Sequence, residues 1–93
     1  MEKGKKPTFH ELDKILRDVG FETYEFSNSR LLYRKETVEA KVYASPISYV
    51  ITLLKNHSAS AETIRRSLGN KGIVCDLETS RRSINLYVPT KFE

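Results

Sequence analysis

The side chains with the most obvious chemical potential are cationic. Arg81 and Arg82 are adjacent, flanked by Ser80 and Ser83, between Leu77-Glu-Thr79 and Ile84-Asn-Leu-Tyr-Val88. Arg30 and Arg34 bracket Leu31-Leu-Tyr33, and Lys41 lies two positions before Tyr43. Guanidinium and ammonium groups neutralise phosphates and release condensed counterions as they do so. Tyrosines among them can lie against sugars or bases, and an amide such as Asn85 can read a base edge. The candidate nucleic-acid-binding residues are therefore Arg30, Arg34, Lys41, Tyr43, Arg81, Arg82, Asn85 and Tyr87. Any solvated sheet face carries charges of this kind, however, and Glu39 and Glu78 weaken a positive field here. Arg65 and Arg66 read equally well as charges on the surface of a helix.

Bond-making chemistry has fewer candidates. His10 and His57 are the only histidines and stand far apart, and Cys75 has no nearby histidine to activate it. Neither Cys-x-x-Cys nor His-Glu-x-x-His occurs, so a zinc site would lack ligands. The four glycines do not form a phosphate-cradling loop, and Gly69 and Gly72 are better placed to end a helix. Cys75 alternates with Ile73 and Leu77 and is expected to fill the core. The expectation is a protein that is not an enzyme, with no catalytic residue, metal site or cofactor.

These residues need elements to hold them. Thr8-Phe-His-Glu11 is a capping box opening a helix through Leu12, Ile15, Leu16 and Val19, with Gly20 as its stop. From Phe21 the apolar period shortens from 3.6 to 2. Strands are predicted over Glu22–Phe26, from Leu31-Leu-Tyr33 after a turn at Ser27-Asn-Ser29, and over Val38–Ala44. In the third, Val38, Ala40, Val42 and Ala44 point inward and Glu39, Lys41 and Tyr43 outward, until Ser45-Pro46 interrupts. Ile47–Leu54 is rich in β-branched and aromatic residues and reads as a strand, with helix as the alternative. Ser58 or Ser60 is expected to cap a second helix through Ala61, Ile64 and Leu68. Two strands follow, with Ile73, Cys75 and Leu77 inward on one and Ile84, Leu86 and Val88 on the other. A helix-turn-helix beginning in Ile47–Leu68 would need a recognition helix after Gly69, where Ile73–Leu77 is a strand pattern.

The fold class is thus α+β. An antiparallel sheet of about six strands, order α-ββββ-α-ββ, would carry two helices on one face. A length of 93 residues suits one domain, assigned to residues 7–93, with residues 1–6 as a disordered basic tail. Sixteen Lys and Arg against twelve Asp and Glu give a net charge of +4. The tail, with three lysines and one glutamate, supplies half of that excess, so location matters more than total charge. The longest apolar run is too short to span a bilayer, the first residues do not resemble a signal peptide, and one cysteine suits a reducing compartment. A cytoplasmic location in a prokaryotic or virus-infected cell is expected, with no membrane partner.

Two resemblances emerge from this order. Leu12-Asp-Lys-Ile-Leu-Arg-Asp-Val-Gly-Phe21, Ser27–Glu36, and Gly72–Leu77 with Ser83–Val88 are similar to the opening helix, second strand region and closing hairpin of the double-wing domains. That family is represented by the C-terminal domain of the T-even phage transcription activator MotA. The resemblance spans residues 12–88, rests on element order and spacing, and implies non-enzymatic binding of double-stranded DNA in transcription regulation. Pro7–Leu12, Gly20-Phe21, Tyr33-Arg34 and Thr63–Ile73 resemble parts of the HicA family of RNA-cleaving toxins. Where that family places its catalytic histidine, this chain has Asn28-Ser29-Arg30, so the implied ribonuclease lacks its general base. Double-stranded DNA is the expected partner, with RNA or a protein as alternatives.

Overall fold

The computed structural model describes residues 6–26, 30–45 and 47–89. The tail assigned to residues 1–6 lies outside them except for Lys6, as do the turn at Ser27–Ser29 and Pro46. Helix α1 runs over Phe9–Asp18. The Glu11 backbone N–H donates to the Thr8 hydroxyl at 3.2 Å, and the Thr8 N–H donates to the Glu11 carboxylate at 2.9 Å. Both halves of the capping box are therefore made, satisfying two amides that a helix start otherwise leaves open. Helix α2 spans Ser58–Asn70. Its start departs from expectation, because neither Ser58 nor Ser60 caps it. A 3-10 turn at Lys55–His57 leads straight in, His57 occupies the cap position, and no side chain bonds the first amides.

The two helices end alike. In α1, Gly20 has φ 105, its N–H reaches the Arg17 carbonyl at 3.0 Å, and the Phe21 N–H reaches the Leu16 carbonyl at 3.0 Å. In α2, Gly72 has φ 80, its N–H reaches the Gly69 carbonyl at 2.9 Å, and the Ile73 N–H reaches the Leu68 carbonyl at 2.9 Å. This double bond is the Schellman arrangement, which calls for a left-handed residue that glycine adopts without a steric penalty. The apolar residue that follows, Phe21 or Ile73, turns back into the core at 2% exposure. Gly69, expected as a possible stop, lies inside α2.

Six strands follow the predicted order: β1 Glu22–Phe26, β2 Arg30–Lys35, β3 Val38–Ala44, β4 Ser48–Leu54, β5 Asp76–Thr79 and β6 Ser83–Pro89. They form one antiparallel sheet in the spatial order β1-β2-β3-β4-β6-β5. The ambiguous segment is a central strand, with Val42↔Ile51 joining it to β3 and Ile51↔Leu86 joining it to β6. Both helices lie on one face. Leu12 and Leu16 of α1 and Ile64 and Leu68 of α2 pack with Tyr33, Ala40, Val42, Ile51, Leu53, Ile84, Leu86 and Val88 of the sheet. No helix among the described residues is long and apolar enough to cross a membrane.

Two expectations at the sheet edge need correction. The strand before the last hairpin begins only at Asp76, so Ile73 and Cys75 precede it. Leu77 faces the helix side opposite Leu86 but remains 42% exposed. The Schellman turn delivers Ile73 to the core first, and the edge strand then runs beyond the cover of the helices. Ala44, also expected inward, is exposed near the end of β3.

A polar network ties α1 to the sheet. The Tyr33 hydroxyl donates to Asp13 Oδ1, and Arg17 donates to Asp13 Oδ2 at 2.9 Å and to the Thr23 hydroxyl. Burial works to raise the Asp13 pKa, but the bonds from Tyr33 and Arg17 prevail and hold it below the ordinary value. A carboxyl with a depressed folded-state pKa adds stability that is present above its unfolded pKa, about 3.9, and lost as pH falls through the folded value. Tyr33 moves the other way: burial and the Asp13 carboxylate push its pKa well above the usual phenol range. Its contribution is present below an unfolded pKa of about 10 and lost as pH rises through the folded value. Thermal melts should accordingly show stability falling below about pH 4, and Asp13→Asn should flatten that acid limb. Parallel acid limbs in wild type and variant would show that the network is not responsible.

Candidate nucleic-acid interface

The face of the sheet opposite the helices has no layer over it among the described residues. Strand pairing dictates which side chains meet there, because outward positions on neighbouring strands fall into cross-strand rows. One row reads Arg30, Tyr43, Val50, Tyr87 and Asp76 across five strands. The next reads Leu32, Lys41, Thr52, Asn85 and Glu78. A third begins Glu22, Arg34 and Glu39, and Leu54 pairs with Ser83 at the same end of the sheet. The structure therefore brings Arg30, Arg34, Lys41, Tyr43, Asn85 and Tyr87 together on one surface.

Several of these side chains are held in place. The Thr52 hydroxyl donates to the Asn85 side-chain oxygen at 2.8 Å. This leaves the Asn85 NH2 as the end that can donate to a ligand. The Tyr87 hydroxyl donates to Glu78 at 2.9 Å, and that bond raises the Tyr87 pKa above its ordinary value. Leu32 is only 8% exposed although it faces outward, and it lies apart from the main core. Tyr43 is 38% exposed. The middle of the face is thus apolar and aromatic, with Arg30 and Lys41 toward one side and Asp76 and Glu78 on the β5 edge.

Arg81 and Arg82 sit at the tip of the β5–β6 hairpin. Ser80 and Ser83 build that tip. The Ser80 N–H donates to the Ser83 carbonyl at 2.8 Å, and the Ser83 N–H donates to the Ser80 hydroxyl at 3.2 Å. Ser45 and Ser48 repeat the device at the β3–β4 turn, with the corresponding bonds at 2.9 and 3.1 Å. A serine at each end of a four-residue turn replaces one ladder bond with a side-chain bond. The basic tip is further anchored by the Lys55 N–H, which donates to the Arg82 carbonyl at 3.0 Å. Both tip arginines are exposed, and among the described residues neither makes an ion pair. Arg65, by contrast, bonds Glu62 at 2.9 Å on the helix side of the molecule.

Sequence reasoning missed Lys55, Thr52 and a shallow hollow. The hollow, about 130 Å³, is lined by Glu39, Lys41, Thr52, Leu53, Leu54 and Ser83, between the sheet face and the basic tip. No local pattern marks it, since its lining comes from three strands that only the register brings together. Among the described residues no group of histidine, cysteine and carboxylate side chains could hold a metal ion. Cys75 is half-buried, and burial raises its thiol pKa, a shift that disfavours the reactive thiolate.

The fold and this surface define a small α+β domain with one face of its sheet left open. Compared with models of known protein families, with curated proteins and with solved structures, the chain matches none.

Proposed function

We propose that the domain is a non-enzymatic DNA-binding module acting in transcription regulation, engaging DNA through the open sheet face and the Ser80–Ser83 tip. The supporting observation is the cross-strand register. It gathers Arg30, Lys41, Tyr43, Asn85 and Tyr87 on one surface that the described residues leave uncovered, beside two tip arginines that make no ion pair among those residues. The likeness in element order to double-wing domains favours a regulatory role, and a phage or prokaryotic setting accords with it. Asp76 and Glu78 on β5 and Glu39 on β3 interrupt the positive surface, leaving Arg30, Lys41 and the hairpin tip as its basic parts.

The test is a salt titration of binding to labelled DNA. If two to four phosphates are contacted, log K should fall with log salt at a slope of roughly −2 to −4. Asn85→Ala should remove about 1–3 kcal/mol of preference between sequences while leaving that slope unchanged. No binding at low salt, or affinity indifferent to salt, would discard the proposal. The first outcome would favour a protein-binding adaptor, a reading that the exposed Val74 and Leu77 near the acidic β5 edge support.

A further inference from the structure

A groove and a sheet are different shapes, and the difference bears on which form of DNA fits. Six strands about 4.8 Å apart make a face about 24 Å across. The major groove of B-DNA is only about 12 Å wide. The two-stranded β5–β6 tip could enter it, but Tyr43, Thr52 and Asn85 sit well back on the broad face, behind neighbouring strands on both sides. For those residues to meet bases, the bases must come out to the sheet.

We infer that the open face is a platform for single-stranded DNA, with unpaired bases lying on Tyr43 and Tyr87 and the backbone running from Arg30 past Lys41 to the Ser80–Ser83 tip. This rests on the reading of the face as a DNA-binding surface. Tyr43 and Tyr87 stand in the same cross-strand row with only Val50 between them. Two strand spacings separate them by about 10 Å, leaving room for a base over each ring. The Glu78 bond fixes the Tyr87 hydroxyl, so its ring is presented in a set orientation. Stacking of this kind tolerates any base, because every base has a π-face.

The cations lie on a diagonal across the same surface. Arg30 is on β2, Lys41 is one row further along on β3, and the backbones of Lys55 and Arg82 are bonded where β4 ends against the hairpin tip. The hollow between Lys41 and Ser83 lies on this diagonal, with Leu53 and Leu54 in its lining and Glu39 at its far side, so phosphates pass on the Lys41 side of it. Backbone phosphates can follow that line while bases turn toward the tyrosine row. Asp76 and Glu78 border the other side and repel phosphate from β5, which gives the track one direction. The hydroxyls of Thr52 and Tyr87 already donate within the protein. Both still have lone pairs that could accept from a 2′-hydroxyl. The strand is therefore assigned as DNA from the reading of the face as a DNA-binding surface, and the RNA strand is an arm of the test.

The experiment compares a fluorescein-labelled 20-nucleotide DNA strand, its duplex, and the RNA strand of the same sequence, by anisotropy with the whole chain. The DNA strand should bind at least about tenfold more tightly than the duplex. Tyr43→Ala and Tyr87→Ala should each weaken strand binding by roughly 5- to 150-fold. Tyr43→Phe and Tyr87→Phe, which keep the stacking ring, should recover much of that loss, Tyr87→Phe less completely because it also loses the Glu78 bond. The phenylalanine variants keep the measurement valid if an alanine variant fails to fold. The chain has no tryptophan, so tyrosine emission is directly readable, and strand binding should quench it in the wild-type protein. Duplex bound as tightly as the single strand would overturn this inference and leave the DNA-binding proposal standing. Binding to neither would remove both. A preference for the RNA strand would overturn the assignment to DNA.

Discussion

Replacing Arg81 and Arg82 together by alanine is expected to weaken DNA binding without regard to sequence. Each lost phosphate contact should reduce the salt slope by about 0.7 on a single strand and about 0.9 on a duplex, so the double variant should be flatter by roughly 1.4 to 1.8. At about 0.1 M salt the same relation implies an affinity loss on the order of 25- to 60-fold. Folding should barely register the change. Both side chains are exposed, and the described bond at Arg82 is made by its backbone carbonyl, which alanine retains. A stability change of at most about 0.5 kcal/mol is expected for such positions. The measurement is a salt titration of the double variant beside wild type, with thermal melts of both. A folded variant with the wild-type slope would show that the tip arginines serve solubility alone.

The largest effect on stability should come from Leu86→Ala. Leu86 is fully buried in β6, with Ile51 of β4 on one side and Leu77 of β5 on the other. Truncating a buried leucine removes its transfer energy and leaves a cavity, costing about 2–5 kcal/mol. Two rigid neighbours in a hydrogen-bonded sheet limit how far the site can collapse, so the upper half of that range is expected. For a domain of this size each kcal/mol corresponds to about 4–8 °C in Tm, which puts the shift at roughly 15–40 °C. Leu77→Ala makes the control, since Leu77 is directly opposite but 42% exposed. Equal losses at the two positions would mean that β5 is covered in solution by something the isolated chain does not show.

The fold was legible wherever a local device repeats a known physical rule. The Thr8–Glu11 pair marks a helix start because the reciprocal bonds need only three residues of spacing. Alternation placed Lys41 and Tyr43 opposite Ala40 and Val42, and the register bears this out. The β-branched and aromatic run Ile47–Leu54 identified a central strand, apart from its first residue, since Ile47 precedes β4 and is exposed. What stayed hidden depended on tertiary context. Nothing local says that a 3-10 turn will displace the serines from the cap of α2, or that β5 will start three residues late. The tip arginines and the face residues could each be named, but not their neighbours. Thr52 beside Asn85, Lys55 beside Arg82 and Asp76 beside Tyr87 are products of register, which no window of sequence reports.

The position of β6 between β4 and β5 has a consequence for biosynthesis. Strands β1 to β4 emerge in spatial order and can pair as they appear, but β4 then waits for a partner encoded near the end of the described chain. At about 5–20 residues per second, that wait lasts seconds. Throughout it, Tyr49-Val-Ile-Thr-Leu-Leu54 presents an unpaired, uncharged strand edge, the type of segment most given to intermolecular pairing. Only after α2 and the last hairpin have been made can Ser48–Leu54 be enclosed. A ribosome stalled before Ser83 would thus hold a sheet with a sticky margin rather than a smaller stable domain, making the nascent chain a client for chaperones until its final strand arrives.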